Sequence, residues 1–211
     1  MLVSELTVRN PDQAADVLAT VFGFAPDHGL MRRGSQAVRL IKGQPQGHGR
    51  IDHIALTVPD IDASLATLMA AGATLDAAVT PNGAVFIPEF WDDGLRFAYL
   101  SGPESARIEL CQRLTGASPE VGHDHIGIPC RDLLAMQGFF EGQGAALTAS
   151  VDLRRPEGMI PVRFFAYSGG VIELFQPLRA ERATHGLWSR LLIPGLPATL
   201  EGPEGLILAP L

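Results

Sequence analysis

Two histidines and two glutamates recur in matching local contexts along this chain. Imidazole nitrogens and carboxylate oxygens are ligands that divalent metals of borderline hardness accept in proteins. A duplicated unit with one histidine near its start and one glutamate near its end can bring four such ligands to one point. The matching contexts are Asp52-His53-Ile54 with Asp124-His125-Ile126, and Ile108-Glu109-Leu110 with Ile172-Glu173-Leu174. The spacing therefore predicts one metal site built from both copies.

The positions between each histidine and its glutamate also match, so the frames belong to an internal repeat. Asp60 corresponds to Asp132, and Gly72-Ala73 corresponds to Gly144-Ala145. Each aspartate follows an apolar run and can cap a helix, which the glycine then ends. Each copy thus reads as a strand, a helix and three further strands, which is typical of an α+β fold. The predicted elements are 53–58, 60–71, 73–79, 95–101 and 106–112 in the first copy, and 124–129, 132–143, 145–152, 161–168 and 170–176 in the second.

The two-residue period of a strand predicts where these side chains point. His53 shares a face with Ala55, and Glu109 shares one with Cys111, while Glu173 shares one with Phe175. The aliphatic neighbours of each ligand candidate lie on the opposite face, where a helix would pack. All four candidates are therefore expected to line the concave face of a curved sheet.

At these residues the chain resembles the vicinal-oxygen-chelate superfamily, which includes glyoxalases, bleomycin-resistance proteins and extradiol dioxygenases. The resemblance covers about 51–178 and implies paired βαβββ modules that form an incomplete barrel around a divalent metal. By similarity to glyoxalase I-like members, the metal ligands are His53, Glu109, His125 and Glu173. Methylmalonyl-CoA epimerases look similar but usually carry Gln at the position of Glu109.

The resemblance also implies a chemistry. Two imidazoles and two carboxylates suit Zn, Ni, Co, Mn or Fe(II). Such a metal polarises a carbonyl and stabilises an enediolate-type intermediate of a small, oxygen-rich substrate. By similarity to glyoxalase I, Glu173 is the catalytic base and Glu109 its near-symmetric partner. The leading prediction is a metal-dependent lyase or isomerase of the glyoxalase type.

Two other functions remain open. An Fe(II) extradiol dioxygenase needs only two histidines and one carboxylate, here His53, His125 and Glu173. The chain lacks the Asp-Pro-x-Gly turn of that family before Glu173, although this turn is common in glyoxalases too. A non-catalytic binding or resistance protein of the same fold predicts an aromatic pocket without a metal, yet only 7% of the residues are aromatic.

Further side chains are candidates for substrate contacts. His123 is expected to share a face with His125, and Arg163 and Tyr167 to share a face of one strand. These three residues are predicted to contact the substrate, with packing at the edge of the core as the alternative for the strand pair. Phe90 and Trp91, in a loop rich in Pro and Gly, form either an apolar lid or an anchor for that loop.

The remaining segments are interpreted from weaker patterns. Residues 1–50 resemble a third, degenerate copy that places Val3 at the histidine position and is too short for all four strands. Modules are predicted at 51–115 and 120–178. Residues 179–211, rich in Pro and Gly yet apolar, are expected to be an irregular covering segment or a contact in a homodimer.

Composition excludes some classes of partner. The net charge of −7 argues against nucleic acid, because few cations are available to neutralise phosphates. No stretch reaches the ~20 apolar residues of a membrane span, and the N-terminus lacks a signal-peptide pattern. Cys111 and Cys130 form no CxxC pair and read as small buried residues of a reducing compartment. A cytoplasmic protein with a small-molecule substrate is expected.

Overall fold

The computed structural model describes residues 1–116, 120–178 and 185–211, which form two mixed β-sheets and three helices. Each helix begins at an N-cap side chain that accepts a hydrogen bond from a backbone N–H three residues later. Asn10 caps the first helix, Asp60 the second and Asp132 the third. The predicted helix-capping roles of Asp60 and Asp132 are confirmed.

The N-terminal segment folds as a complete unit of one helix and four strands. The prediction that this segment is too short for four strands was wrong, because β2 and β3 are only three and four residues long. Its elements are β1 (Val3–Val8), α1 (Pro11–Thr20), β2 (Ala25–Asp27), β3 (Leu30–Arg33) and β4 (Gln36–Lys42).

The two ligand-bearing units follow the predicted order of strand, helix and strands. In the first ligand-bearing unit, the strand that follows the helix covers only Thr74–Leu75, which is shorter than the predicted 73–79. A further short strand, Val85–Ile87, lies in the loop that was predicted to be irregular. The elements of the first are β5 (His53–Thr57), α2 (Ile61–Ala70), β6 (Thr74–Leu75), β7 (Val85–Ile87), β8 (Leu95–Ser101) and β9 (Arg107–Arg113). Those of the second are β10 (Gly122–Pro129), α3 (Leu133–Gly142), β11 (Ala146–Arg155), β12 (Gly158–Tyr167) and β13 (Gly170–Phe175).

The C-terminal segment is not an irregular cover where the structure describes it. It contributes β14 (Trp188–Ile193), β15 (Leu200–Glu201) and β16 (Ile207–Pro210) to the sheet of the N-terminal unit. Residues 179–184 of the predicted covering segment lie outside the described residues. Strand β14 was missed because its partner β1 lies at the other end of the chain, and β16 and β15 extend the sheet from β14.

The two sheets divide the units between them. The seven-stranded sheet has the order β15-β16-β14-β1-β4-β3-β2, and the nine-stranded sheet has the order β11-β12-β13-β10-β5-β9-β8-β6, with β7 paired to β8. Both ligand-bearing units lie in the nine-stranded sheet, joined by the antiparallel pair β5 and β10. This pairing brings the two predicted histidine strands side by side.

The main hydrophobic core lies on the helix-facing side of both sheets. It contains Leu6 of β1, Ile54 of β5, Ile108 of β9 and Ile172 of β13, all with no exposed surface. The aliphatic neighbours of the ligand candidates are therefore packed as the strand alternation predicted. Burial of these side chains fixes which face of each strand is left for the site.

Two short turns with matching sequences each contact the start of a helix that belongs to another part of the chain. In Gly102-Pro103-Glu104 the glutamate accepts hydrogen bonds from the backbone N–H groups of Arg9 and Asn10, just before α1. In Gly202-Pro203-Glu204 the glutamate accepts those of Arg131 and Asp132, just before α3. The match relates the C-terminal strands to the first ligand-bearing unit, which the sequence analysis did not detect.

Candidate metal centre

The four candidate ligands meet on the face of the nine-stranded sheet opposite the aliphatic neighbours that pack in the main core. Nε2 of His53 and Nε2 of His125 lie 3.1 Å apart, and Oε2 of Glu109 lies 3.0 and 3.1 Å from them. Oε2 of Glu173 lies 3.8 and 3.5 Å from the same two nitrogens. All four residues are at most 8% exposed. The structure thus brings the four predicted ligands together.

Glu109 is the carboxylate closest to both imidazoles. His53, Glu109 and His125 each offer one ligand atom within 4.8 Å of the others. Oε2 of Glu109 is buried and makes no hydrogen bond of normal geometry, although it lies between the two Nε2 atoms. A carboxylate oxygen and two ring nitrogens this close to one another fit a shared cation.

The aspartate before each histidine orients its imidazole. Oδ2 of Asp52 lies 2.8 Å from Nδ1 of His53, and Oδ1 of Asp124 lies 2.9 Å from Nδ1 of His125. A carboxylate on Nδ1 fixes the ring and leaves Nε2 for a metal, an arrangement typical of protein metal sites. Both aspartates belong to the repeated tripeptides, but their role in orienting the imidazoles is visible only in the structure.

A β-bulge explains how Asp124 reaches its own neighbour. In the β10–β5 pair, His125 lies opposite Ala55 and His123 lies opposite Leu56, so Asp124 is the extra residue. The bulge turns Asp124 and His125 to the same side of the sheet. It also places His123 on the other face from His125, and the expectation of a shared face was wrong.

Asp52 is itself held by an arginine. Nη1 of Arg107 lies 2.8 Å from Oδ1 of Asp52, and Nε of Arg107 donates to Asp76 at 2.7 Å. Charge-assisted bonds of this length are strong and directional. Arg107 therefore fixes the carboxylate that orients His53, and it is a supporting residue that the sequence analysis did not identify.

Charge within the cluster shifts the protonation of its members. Burial alone would lower the pKa of His125, but Glu173 and Asp124 raise it well above its usual value. His53 likewise has a raised pKa, because Glu109 and Asp52 outweigh its burial. Burial would raise the pKa of Glu109, but the two imidazoles lower it to about 2. The site thus favours a positive charge among carboxylates, which is the charge pattern that a metal ion satisfies.

A glycine makes room for His53. Gly127 lies opposite His53 in the β10–β5 pair, and a Cβ at this position would overlap the His53 imidazole. A larger residue would push the ring out of the cluster. Gly127 follows the repeated tripeptide Asp124-His125-Ile126 and corresponds to Ala55 in the first copy.

Two aromatic residues on neighbouring strands also face the ligands. Tyr99 lies opposite Glu109, and its hydroxyl is 3.4 Å from Nδ1 of His53. Phe164 lies opposite Glu173, and its ring centroid is 5.7 Å from that of His125. The pairing shows that Phe164, rather than Tyr167, corresponds to Tyr99. The sequence match of Arg96-Phe97-Ala98-Tyr99 with Arg163-Phe164-Phe165-Ala166-Tyr167 is therefore two to three residues out of register.

The three predicted substrate residues lie away from the ligand-bearing face. Tyr167 packs in the main core, with its ring 5.7 Å from that of Phe140 in α3. Arg163 lies opposite Leu174, a core residue, and its guanidinium donates to Asp152. His123 Nδ1 lies 2.6 Å from Gln36 Oε1, and its Nε2 accepts the Val171 N–H. These positions favour roles in packing and in linking the two sheets.

The seven-stranded sheet repeats the arrangement without the ligands. Glu5 pairs with Arg39 of β4 and with Arg190 of β14, as Ala55 pairs with Glu109 and His125. Arg39 and Arg190 therefore occupy positions equivalent to Glu109 and His125, and Val3 occupies a histidine position as predicted. Arginine is not a usual metal ligand, so these two positions of the seven-stranded sheet supply no ligands equivalent to Glu109 and His125.

Comparison of the sequence with protein-family models gives no match, and comparison with curated proteins gives none either. Two crystal structures of glyoxalase I variants from Zea mays are similar to this chain, each with a TM-score of 0.70 and 16% identity. They match 99% of this chain and 90% and 91% of their own. A structure of a putative dioxygenase from Bacillus subtilis has a TM-score of 0.56 and 14% identity, over 90% of this chain and 68% of that one.

Identities this low show the fold alone. The chain has the vicinal-oxygen-chelate fold that the sequence resemblance implied, with open sheets rather than a closed barrel. Among the described residues, no helix has the length and apolar character needed to cross a membrane.

Proposed function

We propose that this protein is a metal-dependent isomerase or lyase of the glyoxalase type, acting on a small substrate with two adjacent oxygens. The observation that carries the proposal is the convergence of His53, Glu109, His125 and Glu173, with each imidazole oriented through Nδ1 by its own aspartate. The similarity of fold to glyoxalase I from Zea mays supports it.

In this proposal the two imidazoles and Glu109 hold a divalent metal permanently, and Glu173 is the carboxylate that can leave it. Glu173 lies farther from the imidazole nitrogens than Glu109 does, and it is the most exposed of the four, at 8%. When bound, the metal would polarise a carbonyl oxygen and lower the barrier to losing the proton on the adjacent carbon.

Glu173 then acts as the general base. Its carboxylate removes the proton from the hydroxyl-bearing carbon and returns it to the former carbonyl carbon, while the hydroxyl proton passes to the former carbonyl oxygen, so the net change is an isomerisation. Tyr99, with its hydroxyl near His53, lies on the same face and closes that side of the site. Burial raises the pKa of Tyr99 well above its usual value, so it stays a neutral hydrogen-bond donor.

Proton transfer at carbon is the property to test. The protein loaded in turn with Zn, Ni, Co or Mn is incubated in D₂O with α-hydroxyketones and hemithioacetals of 2-oxoaldehydes, and deuterium at carbon is followed by NMR. Metal-dependent exchange that Glu173→Gln abolishes supports the proposal. The proposal would be excluded if the metal-free protein and Glu173→Gln exchanged deuterium as fast as the metal-loaded, unsubstituted protein.

A second function, an Fe(II) extradiol dioxygenase, is favoured by one observation. The tightest group in the site is a two-histidine, one-carboxylate triad, although its carboxylate is Glu109 rather than the Glu173 expected from sequence. Oxygen uptake by the Fe(II)-loaded protein with a catechol tests this alternative. Uptake coupled to ring cleavage would favour the dioxygenase over the isomerase.

A further inference from the structure

The few aromatic residues of this chain are concentrated at the candidate metal centre. Aromatic residues make up only 7% of the sequence, a scarcity that argued against an aromatic pocket. The distribution in the fold reverses that argument. The chain has fourteen aromatic residues, and six of them lie on the ligand-bearing face or pack against it: Phe90, Trp91, Phe97, Tyr99, Phe164 and Phe175.

Phe90 and Trp91 cover the ligands through Phe164. The ring of Phe164 lies 5.4 Å from Phe90, 5.2 Å from Trp91 and 5.7 Å from the ligand candidate His125. Leu153 and Val162, from the β11–β12 hairpin, complete the same apolar cluster. Residues 90 and 91 therefore pack on the candidate metal centre through the ring of Phe164.

The covering loop leaves polar atoms without partners. Nε1 of Trp91 and Oε2 of Glu89 are buried without a hydrogen bond, and Trp91 has a φ of 57°, a region that non-glycine residues rarely occupy. Glu89 is tied to the hairpin by one contact, Oε1 to Nη1 of Arg155 at 3.1 Å. Unpartnered buried groups and an unfavourable backbone angle lower the stability of this loop, in which the Trp91 ring also contacts the guanidinium of Arg113, 4.1 Å from the ring centre.

We propose that residues 89–91 form a lid and that the substrate carries an aromatic or similarly flat apolar group beside its two adjacent oxygens. This inference rests on the proposed function, because the two oxygens bind the metal. The flat group packs on Phe164, and Trp91 closes over it. The indole N–H of Trp91, which has no partner in the closed protein, donates to an oxygen of the bound compound.

Two hydroxamates make a matched pair of probes. Acetohydroxamate and benzohydroxamate present the same two adjacent oxygens to a metal, and they differ in a methyl against a phenyl group. Calorimetric titration of the zinc-loaded protein gives both dissociation constants, with zinc content measured for each variant. We expect benzohydroxamate to bind about tenfold or more tightly, because the phenyl ring gains aromatic packing and burial.

Three substitutions assign that preference to the lid and its contact. Phe164→Leu and Trp91→Leu should bring the ratio of the two affinities close to one. Trp91→Phe keeps the ring but lacks the N–H, so it should retain the ratio and weaken both hydroxamates by roughly threefold. Phe86→Leu is the matched control, because Phe86 lies three residues before residues 89–91 and is 50% exposed. It should behave as the unsubstituted protein.

The possible failures are distinguishable. Equal binding of both hydroxamates to the zinc-loaded protein, or no binding of either, overturns the substrate inference while the metal centre stands. If Phe86→Leu changes the ratio of the two affinities as much as Trp91→Leu does, the proposal that residues 89–91 form a lid is wrong. A protein that retains no zinc overturns the proposed function and this inference with it.

Discussion

Asp52 and His53 are neighbours in sequence, and Oδ2 of Asp52 lies 2.8 Å from Nδ1 of His53. The second copy of the unit repeats the contact between Asp124 and His125 at 2.9 Å. The repeated tripeptide is therefore more than a marker of duplication. It encodes a ligand together with the group that orients it.

Removing the charge of either aspartate should weaken metal binding. Asp52→Asn and Asp124→Asn are each expected to lower zinc affinity by about 10- to 100-fold, the usual effect of losing the partner of a metal-binding imidazole. Competition with a chromophoric chelator measures the affinity. Asp62→Asn is the control, since the Asp62 side chain is 68% exposed and pairs with Arg96 at the surface. Unchanged affinity in both site variants would mean that the aspartates only stabilise the strands.

The two glutamates should respond differently to loss of charge. Glu109→Gln is expected to lose most of its bound metal, because Glu109 lies closest to both imidazoles. Glu173→Gln should keep more metal but lose activity, because Glu173 is the proposed base. Metal content and turnover measured on both variants test this split. Full metal content and activity in Glu109→Gln would contradict its role as a ligand.

Gly127 should tolerate no side chain. Gly127→Ala is expected to displace the His53 imidazole and to abolish metal binding, because the added methyl group would overlap the ring. Gly138→Ala in α3 is the control, since nothing lies near its added Cβ. That control should retain the metal and raise the free energy of unfolding by roughly 0.5–1 kcal/mol. A Gly127→Ala protein with full metal content would show that the sheet can yield at this point.

Glu204 should stabilise the fold through its charge. Burial would raise the pKa of Glu204, but the backbone N–H groups of Arg131 and Asp132 and the guanidinium of Arg50 lower it. A lowered pKa means that the stabilisation is present above the ordinary pKa of a glutamate and is lost as the pH falls through the lowered value. Glu204→Gln is therefore expected to reduce the free energy of unfolding by about 1–3 kcal/mol at pH 7.

Denaturant unfolding at neutral and acidic pH measures this difference, which should shrink in acid. Glu104→Gln is the matched variant, since Glu104 makes the equivalent contacts but its side chain is 21% exposed against 8% for Glu204. Its effect should be smaller, about 0.5–1.5 kcal/mol. Equal effects of both variants, or a difference independent of pH, would contradict the role of the buried charge.

The parts of this structure that the sequence predicted are those governed by short-range rules. Alternation along β5, β9, β10 and β13 placed the ligand candidates opposite the aliphatic core, and the helix caps at Asp60 and Asp132 followed from local hydrogen bonding. The repeat supplied the relation between the two units. Together these observations predicted the α+β class, and the resemblance to a known superfamily implied the paired modules.

The parts that were missed depend on register and on distant partners. The bulge at Asp124 shifted His123 to the opposite face, and a register error in β12 exchanged Phe164 for Tyr167. Strand β14 pairs with β1 of the N-terminal unit, which no local pattern in residues 188–193 reveals, and β16 and β15 extend the sheet from β14. Trp91 became meaningful only when its contacts with Phe164 were known.

Metal content is the most direct measurement of the central claim that four side chains from two units bind one divalent metal. Elemental analysis of the purified protein, after incubation with zinc and removal of excess, should find one metal ion per chain. His53→Ala and His125→Ala should each contain almost no metal, although the two histidines come from different units. A metal-free wild-type protein, or full occupancy in either histidine variant, would contradict the account.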